Sequence, residues 1–340
     1  MTRTTRHGLS AAVAALGFAI GVVAPVAAQD NTVKFMDIPG PGNMLIRVAI
    51  AKGYCEKYGI KCQLQVIPAA PLGVQAMLAK SIDSAIAPAD VIIGAIKNGA
   101  KVKMVTGSLV SNLLQIVVAT DMPQPNAGKP WPGFMADFKG KRIGVTARGA
   151  STETAMRFMM AKAGLNADDA TYVAVGGGVT TYNALASKQI DVAMIVEPTG
   201  SICQQTKACK VVWRGSEDAE PAELFKLNGS SNGLVFTQES IDKRPDTIAA
   251  VIKAVADADA FINSPANFEE VVTIANSYFK FELPGGDAIM RNNLAQFIKN
   301  RTYSAKIDRA SVKGTIDYLL AAKLIDAPID VSTLVYDGAP

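Results

Sequence analysis

Two stretches of this chain nearly repeat each other, and the repeat constrains the fold more than any other feature. Gln75-Ala-Met-Leu-Ala-Lys-Ser-Ile-Asp-Ser-Ala85 aligns with Asn183-Ala-Leu-Ala-Ser-Lys-Gln-Ile-Asp-Val-Ala193. In each copy a short helix ends at a lysine, one residue follows, and Ile-Asp-x-Ala opens an apolar strand. The helices upstream stop at Gly59 and Gly164, at similar spacing from the shared segment. A unit used twice, at this length, predicts two related halves.

The elements around each copy agree. Val33 to Asp37 reads as a strand, Pro39 to Asn43 as a rigid turn, and Met44 to Tyr58 as a helix. Strands follow at Gln63 to Ile67, Ile82 to Ala87 and Val102 to Thr106. They are separated by helices at Leu72 to Lys80 and from Pro88-Ala89-Asp90 to Lys97. After apolar Leu114 to Ala119 comes a proline-rich stretch, 122–133, and the pattern restarts. Strands fall at Arg142 to Thr146, Tyr172 to Val175 and Ile190 to Val196, with helices at Ser151 to Ala163 and Thr180 to Lys188, and a short strand at Val211 to Trp213. Strands alternating with helices in this way specify an α/β fold with mainly parallel sheets covered by helices. Asn232 to Thr237 reads as a strand returning to the first half. Helices at Pro245 to Phe261, Asn267 to Phe279, Gly286 to Lys299 and Ala310 to Ala322 complete it.

The first 28 residues stand apart. Arg3, Arg6 and His7 precede an apolar run, Leu9 to Val23, and a small-residue region ends at Ala28. This is the pattern of a secretory signal peptide, and no later stretch reaches the roughly 18 apolar residues of a membrane span. The remaining chain of about 310 residues exceeds one ordinary core. The expected division is 29–117 for the first part of lobe 1, 118–232 for lobe 2, and 233–340 returning to complete lobe 1.

The whole sequence has 34 basic and 30 acidic residues, and loss of Arg3 and Arg6 brings the net charge from +4 to +2. Lys and Arg are evenly spread, which is no nucleic-acid footprint. The single histidine is His7, so a processed chain has none, which excludes Ser-His-Asp and Cys-His catalysis and imidazole-bound zinc. No catalytic residue, cofactor or metal site is expected. The four cysteines fall into local pairs, Cys55 with Cys62 and Cys203 with Cys209. In an exported chain such pairs indicate disulfides. A site using all four thiolates for a metal is the alternative.

Asp137 to Thr154 (DFKGKRIGVTARGASTET) delivers a short strand through a glycine turn to a helix start. Ser151 is placed to cap that helix. A glycine/serine turn at a positive helix end, with Arg148 beside it, suits a small anion. An ordinary strand-to-helix connection is the plain alternative. Arg148 can equally pair with Glu153 or Asp168.

These marks together resemble a known family. Ala49 to Tyr54 (A-x-x-x-G-Y), Gly59-Ile60, Leu78 to Ala85 (L-A-x-x-I-D-x-A), Asp137 to Thr146, and Ala184 to Pro198 (A-L-x-x-x-Q-I-D-V-A-x-x-x-E-P) resemble substrate-binding proteins of bacterial ABC importers. The group is the nitrate/sulfonate/taurine-like one, which includes thiamine-pyrimidine precursor binders. The resemblance implies a two-lobed periplasmic binding protein fold of type II, with a two-strand hinge. It also implies a periplasmic, monomeric, non-enzymatic protein that closes on a small ligand and meets an ABC permease.

In doubly wound sheets, ligands sit outside the carboxyl ends of the strands. On that basis the candidate contacts are Asn43, Met44, Pro88, Ser108, Arg148, Ser151, Thr152, Thr180 and Glu197. Pro88 and Thr180 can instead simply start helices, and Glu197 can orient a ligand or hold the hinge. Arg148 directs the ligand expectation to an organic anion, a sulfonate or carboxylate. The alternatives are a pyrimidine-precursor enzyme or binder of the same fold, and a sensor-linked binding module.

Overall fold

Strand β1 (Thr32–Asp37) buries Val33, Phe35 and Met36, and pairs in parallel with β2 (Lys61–Val66). A parallel bridge from Phe35 to Ser84 sets β3 (Ala85–Ala87) on its other side. Beyond β3 lie β10 (Asn232–Thr237) and then β4 (Val102–Leu109), with β10 antiparallel to both neighbours. The order is therefore β2-β1-β3-β10-β4. In this computed structural model the described residues are 1, 2, 4, 31–229 and 232–340; apart from residues 1, 2 and 4 the expected leader, with Arg3, Arg6, His7 and the region at 24–28, falls outside them.

The second sheet has the order β7-β6-β8-β5-β9, built from β5 (Leu114–Ala119), β6 (Arg142–Val145), β7 (Thr171–Ala174), β8 (Val192–Val196) and β9 (Cys209–Arg214). β6 is parallel to β7 and β8, and β5 is antiparallel to β8 and β9. Three parallel strands, one reversed strand and an edge strand thus recur in both arrangements. The sequence repeat marks the same position in each: helix Ala70–Leu78 precedes β3, and helix Val179–Ala186 precedes β8. The shared Ile-Asp-x-Ala places an aspartate at the same spot, where Asp83 takes the backbone N–H of Lys34 and Asp191 that of Arg142.

Some expectations need correction. The boundary expected at 117/118 falls inside β5, all of which belongs to the second sheet; every residue of this strand is buried, as a strand paired on both edges requires. The chain crosses between sheets at 110–113. The helix expected from Met44 to Tyr58 is two, Met44–Ala51 and Tyr54–Lys57, separated by Gly53 at φ +67. Helix Thr199–Thr206 was not expected.

Both cysteine pairs are bonded, Cys55 to Cys62 and Cys203 to Cys209, which uses all four thiols. The first ties helix Tyr54–Lys57 to β2, and the second ties helix Thr199–Thr206 to β9. Each closes a loop short enough to contribute about 2–3 kcal/mol on the chain-entropy estimate. A thiol-labelling assay on denatured protein should find no reactive cysteine before reduction and four afterwards; label taken up before reduction contradicts the pairing.

The C-terminal helices cover the first sheet. Helix Pro245–Ile262 packs its buried Ile248, Val251, Val255 and Ile262 against helix Met44–Ala51. The segment 302–307 runs against β4, with Gly107 N–H donating to Ala305 O and Val110 N–H to Thr302 O. A Cβ on Gly107 would come within 2.3 Å of Lys306 O, so only glycine permits this approach. That contact positions the last long helix, Arg309–Ala321, whose N-cap Asp308 accepts from Ala310 N–H. Among the described residues no helix is long and apolar enough to cross a membrane.

Candidate functional site

The carboxyl ends of β1, β2, β3, β6 and β8 open onto one cavity of about 150 Å³. The turn after β1 supplies Ile38, Pro39 and Gly42, and that after β2 supplies Pro68 to Ala70. Pro88 and Asp90 come from the β3 turn, Thr146 and 150–152 from the β6 turn, and Val196 and Glu197 from β8. This convergence is the general rule for parallel α/β sheets. The volume suits a single ring, since a cavity of about this size accommodates benzene. Leu109, Leu113, Leu114, Leu227 and Phe297 extend the apolar lining.

The wall after β1 is fixed by a buried ion pair. Arg47 reaches back from its helix and grips Asp37 with two bonds of 3.0 Å. Its remaining donors go to the carbonyls of Ile38 and Gly40. Tyr303 donates to Pro41 O from the C-terminal segment. The turn is thus held by bonds within the protein and is preorganised.

The polar centre of the cavity is Asp90, in the first turn of helix Ala89–Lys97. Ser151 Oγ donates to Asp90 Oδ1 at 2.8 Å. This bond joins the helix that follows β3 to the helix that follows β6, and so links the two sheet systems across the cavity. Asp90 has no Lys or Arg partner among the described ion pairs. Burial pushes its carboxyl above the ordinary range, with the Ser151 bond and the Val91 N–H opposing the rise.

Glu197, the second carboxylate at the cavity, is fully engaged. It accepts from Gln115 Nε2, from Arg214 Nη1 at 2.9 Å, and from Ser201 N–H and Oγ at 3.2 and 3.1 Å. These bonds tie β5 and β9 to the helix after β8. Thr152 Oγ1 accepts from Thr146 N–H at 3.1 Å and so closes the turn after β6.

Of the sequence candidates, Pro88, Ser151, Thr152 and Glu197 line the cavity. The others lie elsewhere. Asn43 is buried and donates to Met36 O, and Met44 is a core residue. Ser108 is buried in β4, where its carbonyl accepts from Ser304. Thr180 follows β7, the edge strand of the second sheet, so its turn is displaced from the cavity that the central strands face; its hydroxyl donates to Gly177 O.

Arg148 turns away as well. Its guanidinium makes two bonds to Glu153, at 2.8 and 2.9 Å, and is 59% exposed. Glu153 also accepts from Gly149 N–H and from Arg157; the N-cap is Ala150, which makes no side-chain cap bond, so Ser151 does not cap this helix as expected. Burial raises the Glu153 carboxyl, but these donors outweigh it and hold the group below its usual range. Ser151 is then the first residue of the helix and is free to bond Asp90. Asp168 pairs with Arg157 instead.

The sequence reading missed Asp90, Phe297, Thr315 and Tyr318 as cavity residues. Asp90 carried one signal, an acid in the first turn after a strand, which reads equally as ordinary dipole compensation. The other three come from C-terminal helices whose docking no local pattern encodes.

A second recess, of about 510 Å³, lies between the 124–138 segment and β9 with its following turn. Several of its polar groups are satisfied internally: Asp137 accepts from Asn126, Trp213 Nε1 donates to Glu220 O, and Asp218 accepts from Arg214 N–H.

Comparisons with known proteins agree with this geometry. The chain is 28% identical over 243 residues to a protein of Brucella abortus (strain 2308) whose name describes it only as a binding protein; the match covers 71% of this chain and 69% of that one. The solved alkanesulfonate-binding protein SsuA from Xanthomonas axonopodis pv. citri, bound to MOPS, superposes with a TM-score of 0.70 at 18% identity, over 90% of this chain and 98% of that one. The periplasmic nitrate-binding protein NrtA from Synechocystis PCC 6803 gives 0.71 at 13% identity, over 91% and 86%. The architecture is thus that of the two-lobed periplasmic binding proteins. Residues 41–267, two-thirds of the sequence, match the family described as NMT1/THI5 like, and the chain belongs to that family.

Proposed function

We propose that this chain is an extracytoplasmic solute-binding protein, periplasmic and monomeric, that captures one ring-sized molecule in the cavity and delivers it to an ABC import permease. The observation that carries the reading is Asp90: a carboxylate without a cationic partner among the described residues, set where two helix starts meet in a mainly apolar cavity. We take the first sheet with the C-terminal helices as one lobe and the second sheet as the other. The crossings at 110–113 and after β9 serve as the hinge, and closure brings Ser151 to Asp90.

The ligand class follows from the lining. Among the described residues the cavity has no Lys or Arg side chain, and its free carboxylate faces the solute. An organic anion would meet Asp90 with no countercharge. The fold neighbours named for alkanesulfonate and nitrate share the architecture at 18% and 13% identity. We therefore assign this chain a solute that is neutral or cationic and donates a hydrogen bond to Asp90, in place of the anion that Arg148 suggested. Arg148→Ala should leave solute affinity within about twofold, because the Arg148 guanidinium bonds Glu153 and is not part of the cavity lining; a tenfold loss would return the anion to favour.

Binding rather than catalysis fits the donor set. The only histidine is His7, and Glu197, the other carboxylate at hand, is held by Arg214, Gln115 and Ser201. Native mass spectrometry of the protein as purified tests the reading. A discrete bound mass, absent from the Asp90→Asn protein, is expected. An anion bound equally by both proteins would overturn the ligand class, and deletion of the gene without loss of uptake of the bound compound would overturn the transport role.

A further inference from the structure

Tyr318 is 3% exposed, lines the cavity, and its hydroxyl has no hydrogen-bond partner among the described residues. Its ring is fixed: it stands edge-on to Phe158 at 4.8 Å, and its helix Arg309–Ala321 packs on helix Ala89–Lys97, which carries Asp90. A buried hydroxyl without a partner costs folding free energy, so native proteins seldom keep one without a use. Nothing in the packing needs the oxygen, since phenylalanine would make the same ring contact.

We infer that Tyr318 is a specificity-determining residue, whose hydroxyl donates to an acceptor atom of the solute beside the donor that Asp90 receives. The inference rests on the cavity being the solute site. It narrows the solute to a ring bearing a donor and an acceptor on one planar edge, as in a carboxamide or a cyclic amide. Both residues line the same cavity on helices that pack together, and burial first, and then the Asp90 charge, push the Tyr318 hydroxyl well above its usual range. The phenol therefore stays protonated and acts as a donor at any ordinary pH. The residue also lies outside the family-matched region, 41–267, as do Thr315 and Phe297.

Three single-ring probes of matched shape test the assignment by calorimetric titration: benzamide, with a donor and an acceptor; benzamidinium, with donors only; and benzoate, with acceptors and a negative charge. Wild-type protein should bind benzamide and benzamidinium in preference to benzoate. Tyr318→Phe should weaken benzamide by about 5- to 10-fold, leave benzamidinium within about twofold, and not lower the melting temperature of the free protein. A merely structural tyrosine would lower the melting temperature and weaken both probes alike, which overturns the assignment. Equal benzamide binding by wild type and variant also overturns it, as does failure of all three probes. The cavity reading itself fails separately, if the wild-type protein carries no small molecule and no probe binds.

Discussion

Arg47→Ala should destabilise the ligand-free protein by about 3–5 kcal/mol, the loss expected when one partner of a buried ion pair is removed. Arg47 is 1% exposed and Asp37 is 4% exposed. Truncation leaves the Asp37 carboxylate buried without its two donors, and leaves the carbonyls of Ile38 and Gly40 unpaired as well. The cost is that of the uncompensated charge and not the net worth of the pair. Replacing both partners, as Asp37→Leu with Arg47→Met, should therefore recover the part of the loss that comes from the buried charge, while the Ile38 and Gly40 carbonyls stay unpaired. Guanidinium unfolding curves measure both variants. A loss below about 1 kcal/mol for Arg47→Ala would mean that the pair is not closed in solution. Solute affinity should fall with it, because the same side chain holds the turn that forms one wall of the cavity.

Asp90→Asn should cost about 10- to 100-fold in solute affinity at neutral pH, the range for losing one hydrogen bond to a charged acceptor. The same change should raise the melting temperature of the free protein. The carboxyl is shifted upward, so the native state binds this proton more readily than the unfolded chain does. The ionised group thus destabilises the fold. Native stability is lost as pH rises from the unfolded carboxylate range through the raised native value. Asparagine removes that loss, so its advantage should be present at neutral pH and vanish in acid. Solute binding should run the other way, strengthening with pH as the carboxylate forms. The charged and polar neighbours are Ser151, Tyr318 and, across the cavity, Glu197 held by Arg214. A variant that binds normally and melts no higher would remove Asp90 from the account. Such opposition of stability and binding is characteristic of a functional group in a buried setting.

The architecture was legible because it is written in periodicity. The Ile-Asp-x-Ala repeat marks the third strand of each sheet, and the alternation of strands and helices located both sets of parallel strands. The short spacing of the cysteines gave their pairing. The site was legible only in outline. Asp137 to Thr154 does deliver a helix start to the cavity, but the roles within it are exchanged. Side chains in a first helical turn lean toward the N-terminus, which lets Glu153 reach Gly149 and Arg148. That contact turns Arg148 outward and releases Ser151 for Asp90. Sequence spacing records that these residues are near one another; it does not record which of two acids an arginine takes. Tyr318 and Phe297 were beyond reach for a different reason, since they arrive through contacts between elements more than 150 residues apart.

The most direct test is a crystal structure of the protein carrying the small molecule that it binds as purified. The solute should lie between Asp90, Ser151 and Tyr318, with a nitrogen or hydroxyl donor on the Asp90 carboxylate and Arg148 still on Glu153. An anion seated on Arg148, or a solute lodged beside Trp131 and Trp213, would contradict the account.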